Sequence, residues 1–509
     1  MTREEVEVEN YLSTETKMRE LQTLLNQLPY VYHIINESNP VITHITTDSR
    51  EVKVGALFCC VKGYTVDGHD FAKQAYEQGA VALLVEREVT DVPLVQIKVN
   101  DVFRVLSFLA NAMYDYPTND MHMIGITGTN GKTSITYILE EIFKQNKART
   151  ALIGTIQMKI GEESYPIKNT TPEPSYLFNS FRAMKEANVD HCMMEVSSHA
   201  LEQGRVRGID IDIAVFTNLT QDHLDYHPTM TDYRLAKERL FQQLGNRYDP
   251  EHPKFAIINA DDAYANYFIQ ATSQPIVTYG LTKASDLHAL DIKLSATKTQ
   301  FTLSGMVKDV TITSKLIGKF NVYNMLAAAA TALKSGVPIA DIKAALESIP
   351  GVKGRFQSVQ TSSDYSVIID YAHTPDSLKN VLETVQTFTK GKIYCVVGCG
   401  GDRDKTKRPL MAHVSETYSD VTILTSDNPR TEDPEVIIKD MERGLESTDY
   451  IVEVDRKQAI HRAIELASPD DVILIAGKGH ETYQIIGRET YPFDDYQVAH
   501  DYLEQRLGD

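Results

Sequence analysis

The chain contains no tryptophan, and its five cysteines (Cys59, Cys60, Cys192, Cys395 and Cys399) form no Cys-x-x-Cys pair. That excludes the usual paired-thiolate zinc and redox motifs. Cys395 and Cys399 flank a strand-like run and read as core thiols, so a reduced compartment without disulfides is expected. No apolar run approaches the ~18–20 residues of a membrane span. The opening stretch MTREEVEVENYLSTETKMRELQTLL is acidic and has no apolar core, which argues against a signal peptide. Residues 1–17 read as a possible flexible extension, with Met18 as an alternative start. Basic residues are also short: 51 Lys+Arg stand against 70 Asp+Glu, a formal net charge of −19. That balance disfavours non-specific binding to nucleic acid or anionic membrane. It does not disfavour small anionic substrates, which local cations and backbone N–H groups can hold. Internal repeats and low-complexity tracts are missing as well.

What is present is an ordinary globular composition, 42% hydrophobic and 24% charged. A length of 509 residues exceeds one core and calls for two to four domains. Short apolar runs at 121–126, 193–196, 211–217, 255–258, 393–397, 421–424 and 472–475 end in Gly, Asn or Asp, as buried parallel strands do. Amphipathic segments such as 134–145 and 232–244 lie between them. The alternation predicts an α/β fold with parallel sheets and functional loops at the carboxyl ends of the strands. A Pro/Asn/Asp turn near 117–121 and the IPGVKG break near 349–354 suggest boundaries. Domains over 18–118, 119–350 and 351–509 follow.

The stretch MHMIGITGTNGKTS carries the strongest chemical signal. A strand leads into Gly128, Thr129, Asn130, Gly131, Lys132, Thr133 and Ser134, and a helix follows. Such a loop curls its N–H groups around an anion at a helix N-terminus. Lys132 can reach β/γ-phosphates and the Thr133 hydroxyl can ligate Mg²⁺. The first glycine stands only three positions before Gly131, so the loop is shorter than the common GxxxxGK[ST] form. ATP binding is expected.

Glu195 ends the strand of CMMEVSSHAL, and His223 follows another strand in TNLTQDHLDYHP. Near a nucleotide, that carboxylate and imidazole suit a divalent cation. In TDYRLAKERLFQQL, Tyr233, Lys237, Leu240, Phe241 and Leu244 share one helical face. A lysine on an apolar face has a depressed pKa, and its neutral amine can add CO₂ to become a carbamate and an anionic metal ligand. The alternative is a snorkelling lysine with only its stem buried.

Together GTNGKTS, EVSSHAL, TNLTQDHLDYH, YRLAKERLF, GKFNVYN, GRF and DYAHTPDSL resemble the Mur ligase family, from Asp48 to the C-terminus. The resemblance implies a UDP-binding α/β domain, a central P-loop ATPase-like parallel sheet and a C-terminal Rossmann-like domain. It also implies that Lys237 is carbamylated, and that Mg²⁺ is held through Thr133, Glu195, His223 and the Lys237 carbamate. Lys132, Lys237, Glu195 and His223 would be the catalytic set, with Asn324, Arg355 and Asp370 at ATP and Asp370 near the ribose. Ser49, Tyr64, Thr65 and Val66 resemble a uridine-diphosphate pocket. Asn169, Thr170, Thr171, Ser197, Gln203 and Arg205 match residues that hold a muramoyl peptide.

Within the family, the match is to the ligase adding the third amino acid. Asp427, Asn428, Pro429 and Arg430 (DNPR) resemble the signature of enzymes that take meso-diaminopimelate. That amino acid differs from lysine by a distal carboxylate, which Arg430 can clamp while Asn428 and Glu481 hold the distal ammonium. Arg408 and Gly477 would complete the site. The implied reaction joins meso-diaminopimelate to UDP-MurNAc-L-Ala-D-Glu at the expense of ATP, in a monomeric cytoplasmic enzyme of peptidoglycan precursor synthesis. Two ligase alternatives stand beside it: the same reaction with L-lysine, and a folylpolyglutamate synthetase-like ligase. A nucleotide-dependent switch is the alternative from outside enzymology.

Overall fold

The computed structural model describes residues 18–63, 66–295, 297–360 and 362–508. The possible extension at 1–17 and the pocket candidates Tyr64 and Thr65 lie outside the described residues.

The first sheet has five strands, in the order His33–Ile35, Val95–Lys98, Ala80–Val85, Ala56–Cys59, His44–Thr46. All are parallel except the edge strand His33–Ile35. Its central runs, AVALLV and ALFC, are almost wholly apolar because helices or loops cover both faces. Helix Val102–Met113 starts where Asp101 accepts a hydrogen bond from the Arg104 N–H, a side-chain N-cap. The helix lays Val102, Val105, Leu106 and Leu109 on this sheet. Ser107 and Asn111 of the same helix donate to the carbonyls of Gly204 and Gly208, at 2.9 and 2.8 Å, tying the first sheet to the second.

The second sheet has eleven strands. Its parallel centre runs Thr150–Ile153, His191–Glu195, His122–Thr127, Ile213–Phe216, Phe255–Asn259, Ile276–Gly280. Strand limits fall within two residues of those read from the apolar runs. Helix Lys132–Gln145 begins two residues earlier than periodicity alone places it, because Gly131 is its left-handed N-cap. Helix Met230–Gln242 likewise starts early, where the Thr229 hydroxyl accepts from Asp232 N–H. One face of the sheet packs on helices Lys132–Gln145, Lys319–Lys334 and Ile339–Ser348; the other packs on Pro174–Glu186 and Met230–Gln242. An antiparallel meander, Leu287–Leu294, Thr299–Gly305 and Val310–Ser314, extends one edge. The strand-and-helix alternation of the sequence does not announce it.

The third sheet runs Gln357–Ser358, Ser366–Asp370, Val472–Ala476, Ile393–Val397, Val421–Leu424, Ile451–Val452, parallel but for the first. A hairpin, Tyr483–Ile486 with Glu489–Pro492, follows it. All five cysteines are free and buried. Among the described residues no helix is long and apolar enough to cross a membrane.

Candidate active site

The carboxyl ends of His122–Thr127, His191–Glu195 and Ile213–Phe216 are neighbours in the second sheet, so the loops after them meet. Gly128 and Gly131 have φ of 148° and 89°. A Cβ on Gly128 would lie 1.8 Å from Thr217 Oγ1, and one on Gly131 would lie 2.6 Å from Asn324 Oδ1. Only glycine fits at either place. Thr217 donates to the Asn130 carbonyl at 2.6 Å, and Asn218 Oδ1 accepts the Asn130 N–H at 2.9 Å. The loop is therefore clamped by its neighbour strand before any ligand arrives. Lys132 Nζ donates to the carbonyls of Gly128 and Thr129, at 3.0 and 2.8 Å, and burial lowers its pKa. Thr133 and Ser134 open a fourteen-residue helix whose N-terminus faces the cleft, a favourable place for phosphate.

Lys237 is buried to its tip. Its Nζ donates to the Gly128 carbonyl at 2.8 Å and sits 4.6 Å from the centre of the Tyr233 ring. The snorkelling alternative is thereby corrected, because the ammonium itself has left water. Burial, then the neighbouring Lys132 charge, push its pKa far down. Glu195 is fully buried, with Oε1 accepting the Thr155 N–H at 2.9 Å and Oε2 the Thr155 hydroxyl at 3.0 Å. His223 has a left-handed backbone (φ 56°) and a half-buried side chain, and desolvation lowers its pKa against the opposing pull of Asp222.

Thr133, Glu195, His223 and a modified Lys237 would offer hard oxygen donors and one imidazole. Among the described residues no group of three or more His, Cys, Asp or Glu could by itself enclose a metal ion. Such a sparse donor set fits Mg²⁺, which keeps several waters and takes its other ligands from nucleotide phosphates.

A cleft of about 550 Å³ separates the second sheet from the third. On the second-sheet side it is lined by the glycine loop, Glu195, Tyr323 and Asn324; facing them are Arg355, Asp370, Tyr371, His373 and Asp376. Arg355 lies over the Tyr371 ring at 4.3 Å and donates to Thr133 Oγ1 at 3.2 Å. Asp370 accepts the N–H groups of Phe356 and Ala372, both at 2.7 Å, and burial raises its pKa. Asn130 Nδ2 crosses the cleft to Asp376 Oδ2 at 3.2 Å. Sequence reasoning missed Asp222, which is buried 3.4 Å from His223, 3.8 Å from His373 and 3.9 Å from Lys407. Burial opposes its charge, but those three partners carry its pKa well below the carboxylate range. Its signal was adjacency to His223 in a motif already singled out. Thr155, Thr217 and Asn218 carried no signal that spacing could reveal.

Thr170, Thr171, Ser197, Gln203 and Arg205 gather beside Glu195. Thr171 Oγ1 donates to the Glu195 carbonyl at 2.8 Å and accepts the Ser197 N–H at 3.1 Å. The Thr170 hydroxyl lies 3.1 Å from that of Thr155. Arg205 donates to Gln203 Oε1 and the Thr171 carbonyl, each at 2.8 Å, and pairs with Glu173 at 2.8 Å. Asn169 is exposed on the same loop. Ser49 and the exposed Val66 belong to the first-sheet region, where the Ser49 hydroxyl donates to Gln74. Lys168 Nζ lies 3.9 Å from Glu51, so the two patches adjoin.

In the third sheet, Asp427–Arg430 and Gly477–Glu481 leave neighbouring regions of the strand ends and meet. Arg430 adopts φ 51°, with its N–H on the Ile485 carbonyl at 3.1 Å and its own carbonyl on the Gly487 N–H at 2.7 Å. Among the described residues its guanidinium donates only to the carbonyls of Gly401 (2.8 Å) and Asn428 (3.4 Å), and no carboxylate stands at ion-pair distance. Burial, then the nearby Arg403, lower its pKa. Arg408 is fully buried, held by Glu432 at 2.8 Å and Asp440 at 2.9 Å, and only its Nε–H lacks a partner. Asn428 Oδ1 accepts from Lys478 Nζ at 3.0 Å and from the Ile485 N–H at 2.9 Å. Both acceptor positions of that amide are filled, which corrects the expectation that Asn428 takes an ammonium. Its Nδ2 donates to Glu481 Oε2 at 2.8 Å. Asp427 Oδ1 accepts the Asn428 N–H at 2.6 Å, and its Oδ2 faces Gly477.

Three family models match the chain in succession: Mur ligase family, catalytic domain, over residues 41–116; Mur ligase middle domain over 126–332; and Mur ligase, glutamate ligase domain, over 354–479. The UDP-N-acetylmuramoyl-L-alanyl-D-glutamate–2,6-diaminopimelate ligase of Bacillus cereus is 52% identical over 493 residues, covering 97% of this chain and 99% of that protein. A solved structure of a ligase with the same name superposes with a TM-score of 0.65 at 34% identity, covering 92% of this chain and 95% of that one. A folylpolyglutamate synthase of Mycobacterium tuberculosis complexed with ADP has a TM-score of 0.62 at 18% identity, over 73% of this chain and 91% of its own. That last likeness concerns the fold alone.

Proposed function

The chain belongs to the Mur ligase family, and from that premise we propose that it is an ATP-dependent ligase joining meso-diaminopimelate to the D-glutamate of UDP-MurNAc-L-Ala-D-Glu. Residues 18–118 carry the uridine-diphosphate end, 119–350 the nucleotide and 351–509 the incoming amino acid. The γ-carboxylate of D-glutamate attacks the γ-phosphorus of ATP and displaces ADP. The amine of diaminopimelate then attacks the acyl carbon, the tetrahedral adduct expels inorganic phosphate, and the amine nitrogen gives up its proton.

Lys132 leaves its loop carbonyls for the phosphates, and the loop N–H groups spread the transferring charge. Arg355 holds the nucleotide from the opposite wall, and Asp370 receives the ribose. Thr171, Ser197, Gln203 and Arg205 set the muramoyl peptide beside Glu195. Mg²⁺, when bound by Thr133, Glu195, His223 and the Lys237 carbamate, would neutralise phosphate charge. Closure of the cleft keeps water from the acyl phosphate. A cytoplasmic monomer is the form we propose, a setting supported by its UDP-linked and ATP substrates and by five free thiols.

The observation that carries the choice of amino acid is Arg430, a guanidinium with no carboxylate partner among the described residues. The distal carboxylate of diaminopimelate supplies that partner, while Asp427 Oδ2 and Glu481 Oε1 take the ammonium. Lysine would leave the guanidinium unpaired, costing on the order of 2–5 kcal/mol. The test is phosphate release from ATP with UDP-MurNAc-L-Ala-D-Glu and either meso-diaminopimelate or L-lysine. Release with diaminopimelate at least ~30-fold faster is expected; equal or faster release with lysine would overturn the role of Arg430.

A further inference from the structure

Lys478 is fully buried, yet the mechanism above gives it no part. Its Nζ donates to Asn428 Oδ1 at 3.0 Å and to Glu481 Oε2 at 2.9 Å, and lies 5.5 Å from the centre of the Tyr483 ring. Glu481 Oε2 thus receives two donors, Lys478 and Asn428 Nδ2, whereas Oε1 has no hydrogen-bond partner among the described residues. The three side chains close a triangle in which every bond has one orientation. Lys478 can only donate, so it forces the Asn428 amide to present oxygen to it and N–H₂ to Glu481.

We propose that Lys478 is a positioning and specificity-determining residue: a fixed cation that neutralises Glu481 and locks Asn428, so that Glu481 adds no unopposed negative charge beside Arg430. The idea rests on the amino-acid pocket assigned above. An unneutralised Glu481 would attract any distal ammonium strongly, whether or not a carboxylate accompanies it. With Lys478 in place, that attraction is cut, and the carboxylate clamped by Arg430 has to supply the remainder. Lysine then gains little from Glu481 and nothing from Arg430. Without Lys478, the bare Glu481 carboxylate still draws the ammonium of either amino acid but repels the distal carboxylate that only diaminopimelate carries, and charge coupling at these separations is strong in a partly dry pocket.

The effect appears in a ratio. For the intact enzyme, kcat/KM is measured with meso-diaminopimelate and with L-lysine, each against saturating ATP and UDP-MurNAc-L-Ala-D-Glu. In Lys478→Met and Lys478→Gln, the ratio of diaminopimelate to lysine should fall about tenfold or more. In Lys478→Arg, which restores the cation, it should return most of the way. A residue that merely packs the loop would lower both rates together and leave the ratio where it was; that result would overturn the inference. Should neither neutral variant accumulate as folded protein, Glu481→Gln examines the same balance from the other side. There the cation is left unopposed, so the ratio should rise, and an unchanged ratio would again overturn the inference. Failure of the wild type to prefer diaminopimelate would instead overturn the pocket assignment itself.

Discussion

Lys132 and Lys237 both donate to one oxygen, the carbonyl of Gly128. Two amines so close and so dry cannot both hold a proton cheaply unless anions arrive, which is the condition a phosphate-binding site has to meet. Lys132→Ala should abolish ATP-dependent phosphate release; retention of most turnover would remove Lys132 from the reaction. Lys237→Ala should lose most activity and recover part of it when short carboxylates are added, since these can replace a carbamate. A residue-scale pH effect belongs to Glu432, whose hydrogen bonds to Arg408 hold its pKa at about 2 against an ordinary 4.5. A depressed carboxyl contributes stability above its unfolded value and loses it as pH falls through the folded one. The melting-temperature gap between wild type and Glu432→Gln should therefore be full at neutral pH and shrink as pH falls from 4.5 toward 2. A gap that does not change with pH would contradict that pairing.

At the scale of elements, the glycine loop is shaped by the strand beside it as much as by its own composition. Thr217 and Asn218, at the end of Ile213–Phe216, hold Asn130 from both sides. Gly128→Ala would drive a methyl group to 1.8 Å from Thr217 Oγ1. With backbone strain of ~1–3 kcal/mol, ADP affinity measured by calorimetry should fall about tenfold to a hundredfold. Adding Thr217→Ala removes the clashing atom and should recover part of the loss. No recovery would mean that backbone strain alone sets the penalty. The hairpin Tyr483–Ile486 with Glu489–Pro492 plays the equivalent part for the second pocket, since it fixes Arg430 through the Ile485 carbonyl and the Gly487 N–H.

For the whole molecule, the decisive contacts cross the cleft. Arg355 to Thr133, Asn130 to Asp376, Gln221 to Thr406, and Asp222 to His373 and Lys407 join the second sheet to the third. They bring the proposed amino-acid pocket toward the glycine loop, as a reaction among three substrates requires. Asp222→Asn removes the charge that gathers His373 and Lys407. It should lower kcat by about tenfold or more while ADP affinity changes far less. Unchanged kcat would make this cluster incidental to closure.

From the sequence alone came the parallel α/β architecture, the glycine loop, the metal-side candidates Glu195 and His223, and the apolar face carrying Lys237. Each is a local pattern: an apolar run, a glycine spacing, a helical period. Tertiary structure decided what those residues touch. Lys237 meets Gly128 across 109 positions of chain, and Asn428 meets Lys478 across 50. Periodicity says which face of an element is buried, but not which loop its polar atoms will meet. For that reason Lys237 turned out buried to its ammonium, Asn428 had no acceptor left to offer, and Asp222, Thr155 and Lys478 emerged only once the strand ends were brought together.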